Sequence, residues 1–280
     1  METSSLRTRA QSRLQVTVSH AFVVARKEFT HAIRSRSLQI LLIALIVGTA
    51  IVFRAVDGGA ESSATAAIEI LGLPLQLIVP IAAILAGGSS VSGERESGSL
   101  RLLLGMPVSR SEVVLGKFAG VFGALCAGIG VVFVSAVLLS FVTFGSIPLS
   151  ELTGLCIASI LLAGAFVGFS AGVSAAVSTR KRSIAVTIGG LFIFTFLWEP
   201  IVAGTYYAVQ GTLPSEAIPA WLVFVERLNP VNAFAVVAGA LGAGVVYPLR
   251  VTFGLLGYGA ETILTEQGSG TTVGFVSDPL

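Results

Sequence analysis

Five apolar runs, at 38–53, 68–91, 113–144, 152–177 and 184–208, take up 123 of the 280 residues between them. About 20 apolar residues in helical form cross the hydrocarbon core of a bilayer, and a helix is one of only two backbone arrangements that satisfy every polar group there. Runs of this kind, separated by short polar stretches, predict an all-α polytopic membrane helical bundle. The composition agrees: 11% of the residues are charged, where a water-soluble domain carries about a quarter. Three regions follow, with 38–209 as the transmembrane domain. Residues 1–37 form an inner tail and an interfacial helix, and 210–280 an external segment with short helices or a sixth span.

The region before the first run has a helical period. Val18, Phe22, Ala25, Phe29, Ala32 and Ile33 fall on one face, with Arg26, Lys27, Thr30 and Arg34 turned away. That pattern suits an amphipathic helix in the membrane interface. The first run, Leu38 to Phe53, rises only about 24 Å, so Arg34, Arg36 and Arg54 are expected to reach out to the two surfaces. Pro74 and Pro80 remove backbone donors from the second run and predict a kink or local unwinding. Gly116, Gly120, Ala124 and Gly128 recur every fourth residue in the third run, and Gly164, Gly168 and Gly172 in the fourth. Each stripe reads as a helix-packing surface. Glu199 sits near the outer end of the fifth run beside Trp198, Tyr206 and Tyr207; it reads either as an acid reaching headgroups or as the lining of a lateral opening.

Beyond the fifth run, Ala217 to Val225 suggests a short outer helix and Asn229-Pro230-Val231-Asn232 a turn. Ala233 to Val246 is apolar but short, and Pro248 and Arg250 interrupt it. An arginine at mid-bilayer costs about 3 kcal/mol, which disfavours a single span from Ala233 to Tyr258. With the N-terminus inside and five spans, inner segments hold Arg7, Arg9, Arg13, Arg26, Lys27, Arg34, Arg36, Arg95, Arg101, Arg110, Lys117, Arg180, Lys181 and Arg182. Of the 17 basic residues, only Arg54, Arg227 and Arg250 remain outside. The positive-inside rule therefore predicts an inner N-terminus and an outer C-terminus, in keeping with a last stretch, 261–280, that has acids and no Lys or Arg.

The longest charged interruption lies between the second and third runs, from Gly93 to Lys117. Glu94, Arg95, Glu96, Arg101, Arg110, Glu112 and Lys117 surround a short apolar centre, Leu100 to Leu104 with Met106. Ser97 or Ser99 suits a helix cap, Pro107 a helix end, and Ser109-Arg110-Ser111-Glu112 a new start. The spacing is read as a short helix across the inner mouth of the protein, charges toward a partner; a solvated loop is the alternative. Catalytic patterns are missing from the chain. Gly116-Lys117 is followed by Phe118, so there is no phosphate-binding loop of the Gly-x-x-x-x-Gly-Lys-Ser/Thr kind. No serine sits in a Gly-x-Ser-x-Gly elbow. His20 and His31 lack acids or thiols at ligand spacing, and Cys126 and Cys156 lie inside apolar runs, so neither a metal site nor a disulfide is expected. The basic residues have no aromatic stacking partners, so nucleic acid is not indicated.

The string GEREsGsLrlLLgmPvSRsEvvlGK resembles the signature of the permease subunits of type-2 ATP-binding cassette (ABC) transporters, the exporter-like class. Ala-Arg-Lys-Glu-Phe with Arg-Ser-Arg, residues 25–36, is similar to the elbow helix that precedes the first span in that family. The resemblance implies a chain that binds no cofactor itself, ATP and magnesium being held by a separate cytoplasmic ATPase subunit. It also implies a second permease copy, identical or not, in the same membrane. By the same resemblance Glu94, Arg95, Glu96, Arg101 and Arg110 bind the ATPase, and Gly98 permits a tight turn. The family usually has six spans with a basic inner tail, whereas five are read here. A gradient-driven transporter, or a non-transporting assembly or regulatory protein derived from such a permease, are the other readings. Drugs, lipids, polysaccharides and copper-enzyme maturation all occur among the roles of the family, and the residues select none of them.

Overall fold

The computed structural model describes residues 21–59, 62–88, 92–96, 110–211 and 220–244. These are helical almost throughout. Residues 21–33 form α1. It is followed by α2 (Arg36–Asp57), α3 (Ala64–Gly87), the short α4 (Ser92–Glu96), α5 (Arg110–Phe144) and α6 (Leu149–Ala176). Then come α7 (Arg180–Phe192), a π-helical turn (Ile193–Leu197) and α8 (Trp198–Gln210). Two short helices close the described chain, α9 (Ala220–Arg227) and α10 (Pro230–Ala240). Among the described residues, five helical stretches are long and apolar enough to cross a membrane: α2, α3, α5, α6 and the continuous run from Arg180 to Gln210. The chain is thus a multi-pass membrane protein with an all-α bundle.

Several boundaries differ from the sequence reading. The first span is the 22-residue α2, which rises about 33 Å, enough to cross without help from the flanking arginines. Arg54 instead meets Asp57 at 3.3 Å on the exposed last turn. Helix α3 runs unbroken through Pro74 and Pro80, so the unwinding expected there is absent. The irregularity lies in the fifth span, where the π turn ends three residues before Pro200. Pro200 has no N–H to return to the carbonyl four residues back, and its ring crowds that carbonyl. A wider turn just upstream accommodates both.

By chain contacts the molecule divides into two compact units. The first draws on Met1–Leu42, Pro80–Gly128 and Ala163–Ile188, and the second on Ile43–Val79, Ile129–Leu162 and Gly189–Leu280. Within the first, α1 packs on α5 at the glycine stripe. A side chain on Gly116 would meet the Ala21 carbonyl oxygen and Val24 Cβ at 2.8 Å, and one on Gly120 would fall on the Ala25 carbonyl oxygen. The expected apolar face of α1 is therefore rotated. Ala32 is buried, but Phe22 and Ile33 are exposed, and Val24 and Glu28 take part in the contact. Among the other predicted packing glycines, Gly164 faces the Phe122 ring at 3.2 Å, Gly168 that of Phe118 at 3.7 Å, and Gly128 Leu42 at 3.8 Å. Gly172 meets nothing within 4 Å among the described residues, so the stripe in α6 packs over its first two glycines and not its third.

In the second unit, Val202, Tyr206 and Leu222 form a core with Trp198 and Val225 against it. Gly211, with φ of 70°, ends α8 in the left-handed conformation, its N–H donating to the Tyr207 carbonyl at 2.8 Å. Asn229, expected in a turn, is the N-cap of α10: its Oδ1 accepts from Val231 N at 2.9 Å, and Pro230 follows at the first helical position. Its Nδ2 donates to the Phe194 carbonyl at 2.7 Å, inside the π turn. Widening a turn displaces carbonyls from their usual helical partners, and this buried amide takes one of them up. Helix α10 has 11 residues, about 16 Å, too short to span. Whatever follows residue 244, including any sixth span, lies outside the described residues.

Candidate functional site

The charged segment singled out in the sequence begins with α4, and α4 is bound to the turn that joins α6 to α7. Ser92 sits at the start, fully buried. Its N–H donates to Ser174 Oγ at 3.0 Å, and Ser174 Oγ in turn lies 3.1 Å from Ser92 Oγ. Three residues on, Arg95 Nη1 donates to the Val177 carbonyl and Nη2 to the Ala175 carbonyl, both at 3.2 Å. Glu96 Oε2 accepts the backbone N–H of Arg180 at 3.0 Å. Ser183 Oγ donates to the Gly88 carbonyl at the end of α3.

Electrostatics explain why these residue types stand here. The last carbonyls of α6 have no helical partners and carry partial negative charge, so a guanidinium is favourable there. The first N–H groups of α7 are likewise unpaired and carry partial positive charge. The basic triplet Arg180-Lys181-Arg182 makes up the first turn of α7. Cations at that end oppose the helix dipole. The Glu96 carboxylate offsets them and takes the Arg180 N–H, while Thr179 Oγ1 accepts from Arg182 N at 3.4 Å as the side-chain cap. Arg95 and Glu96 thus cap the two adjoining helix ends, a cation on the negative end and an anion on the positive one. Both side chains stay exposed over part of their surface.

Of the other residues predicted for this site, Glu94 lies within α4 and Arg110 opens α5, their side chains outside the described residues. Gly98 and Arg101 lie outside them altogether, as do Ser97, Ser99 and Pro107. Glu199, the other functional suspect, is the half-buried second residue of α8.

Sequence reasoning missed the pairing of Glu28 with Lys117. The Nζ of Lys117 lies 2.7 Å from Glu28 Oε1, with 3% and 12% of the two side chains exposed. The closeness of α1 and α5 at Gly116 and Gly120 makes this possible, because only without side chains there can Glu28 reach inward. Acid and base are 89 positions apart, so no local spacing announces the pair. The available sign was an acid, Glu28, on a helix whose other charges are basic.

A family model described as ABC-2 family transporter protein matches residues 22–256. The chain is 27% identical over 253 residues to the probable ABC transporter permease protein NosY of Stutzerimonas stutzeri, covering 85% of this chain and 86% of that protein. It is 28% identical over 242 residues to the protein of the same name from Pseudomonas aeruginosa, covering 81% and 86%. The match takes in α1, all five spans and α10, so the chain belongs to the ABC-2 transporter family and is a permease subunit of an ABC transporter.

Proposed function

We propose that this permease works as an exporter moved by ATP that a separate cytoplasmic ATPase subunit binds, with magnesium, and hydrolyses. The N-terminus and the segment from Gly93 to Lys117 then face the cytoplasm, a reading that the distribution of Lys and Arg supports. Glu94, Arg101 and Arg110 present charge to the ATPase, and Gly98 supplies the turn between them. Nucleotide-driven closure of the ATPases pushes on this segment and shifts the permease between inward-open and outward-open states.

The observation that most supports this reading is the anchoring of α4. A loop that only marked the inner side of the membrane would have no need of buried serine bonds and paired caps to the next inner turn. A second permease copy completes the transport path. The fifth span leaves Ile188, Phe192, Phe196 and Ile201 exposed, apolar surface for lipid or for that copy.

Co-expression with an ABC ATPase subunit from the same genome, followed by capture through the permease, tests the docking. The wild-type chain is expected to retain the ATPase. Glu94→Ala, Arg101→Ala and Arg110→Ala together are expected to lower its recovery at least about tenfold, since desolvated charge pairs at an interface cost about 2–5 kcal/mol when truncated. Undiminished recovery would overturn the assignment.

A further inference from the structure

We infer that Arg95 and Glu96 are positioning residues: they couple the ATPase-receiving segment to the fourth and fifth spans, through the α6–α7 turn, and do not contact the ATPase as charges. The inference rests on the permease reading above and deepens it. Resemblance alone would put both side chains on the partner. The structure commits Nη1 and Nη2 of Arg95 to the carbonyls of Val177 and Ala175, and Oε2 of Glu96 to the N–H of Arg180.

The bonds have a direction that matters for mechanics. Arg95 holds the end of the fourth span and Glu96 the start of the fifth, from adjacent positions on one short helix. Beside them Ser92 and Ser174 are buried and bonded to each other, and Ser183 reaches back to Gly88 at the end of the second span. A displacement of α4 therefore cannot leave the α6–α7 turn behind without breaking several bonds at once. Arg95 does this with two donors in a fixed fork, which a lysine cannot reproduce. Glu96 does it as an acceptor, and an acceptor oxygen survives in glutamine.

That last point separates a clamp from a docking charge. In the co-expressed complex, hydrogen–deuterium exchange followed by mass spectrometry reads peptides covering 174–184, with and without ATP and vanadate. Glu96→Ala is expected to speed exchange at the Arg180 amide about five- to tenfold, as loss of one hydrogen bond implies. Glu96→Gln is expected to leave it within about twofold of wild type. Arg95→Ala and Glu96→Ala are expected to keep the ATPase bound while abolishing the nucleotide-dependent change in 174–184. Glu96→Gln is expected to keep that change.

Loss of the ATPase from Glu96→Gln as from Glu96→Ala would make Glu96 a docking charge and overturn the inference. So would a nucleotide-dependent change that persists in Arg95→Ala and Glu96→Ala. If the wild-type chain captures no ATPase, the permease reading fails by itself. Arg180 exchange in the permease alone still judges the clamp, and equal rates in wild type and Glu96→Ala would refute it.

Discussion

Gly120 shows how little room the first unit leaves at the contact of α1 with α5. A methyl group there would land on the carbonyl oxygen of Ala25, with Glu28 Cβ at 2.7 Å and Phe29 N at 3.0 Å. Backbone cannot step aside as the tip of a flexible side chain can. Gly120→Ala is expected to lower stability by about 2–3 kcal/mol, and Gly172→Ala, with no described residue within 4 Å of an added methyl, to stay within about 1 kcal/mol of wild type. Thermal unfolding of the two variants in detergent checks the contrast; equal transitions would show that α1 does not pack as described. The two glycines are indistinguishable by spacing, since each belongs to an apolar stripe of period four. What separates them is which neighbour arrives from far along the chain. The same holds for Glu28 and Lys117, whose charges need each other because both are nearly out of water. Breaking such a pair is costly even where the intact pair contributes little.

At the scale of elements, the spans were legible because a bilayer imposes their length and apolarity whatever their neighbours do. The ends were less so. The first span gains six residues over its apolar run because Arg36 at one end and Asp57 at the other continue the helix, and charge at a helix end does not break it. The π turn before Pro200 was not foreseen. Prolines 74 and 80 are absorbed by a regular helix, and nothing local tells the three apart. The difference is Asn229, which caps α10 with its oxygen and holds the Phe194 carbonyl with its nitrogen. Asn229→Ala is expected to cost about 2–3 kcal/mol, a lost cap plus a carbonyl left without its donor. Asn229→Asp keeps the cap oxygen and is expected to lose less. A smaller shift in unfolding temperature for the aspartate than for the alanine is the confirming result, and identical shifts would show that one of the two bonds carries nothing. In the charged segment, the charges were found by composition but the helix α4 was not, the expected short helix around Leu100 to Leu104 lying outside the described residues. The use of Arg95 and Glu96 as helix caps depends on a turn about 80 residues later.

Over the whole molecule, the family to which the chain belongs implies an ATPase partner in general, and our proposal takes that partner as the energy source. The charges around α4 then acquire a mechanical sense. A polytopic bundle moves as a few rigid helices, so force must enter where several helix ends are joined. The α4 region joins the ends of the second, fourth and fifth spans by hydrogen bonds within one compact unit. Glu94 lies within α4, Arg101 and Arg110 follow it in sequence, and our proposal assigns these three charges to the partner. The direct measurement is a photoreactive residue in place of Arg101, activated in intact cells that co-produce an ABC ATPase subunit from the same genome. Our account requires an adduct between the permease and that ATPase; light-activated chain that is inserted in the membrane yet joins only lipid, or a protein on the outer side, would contradict it.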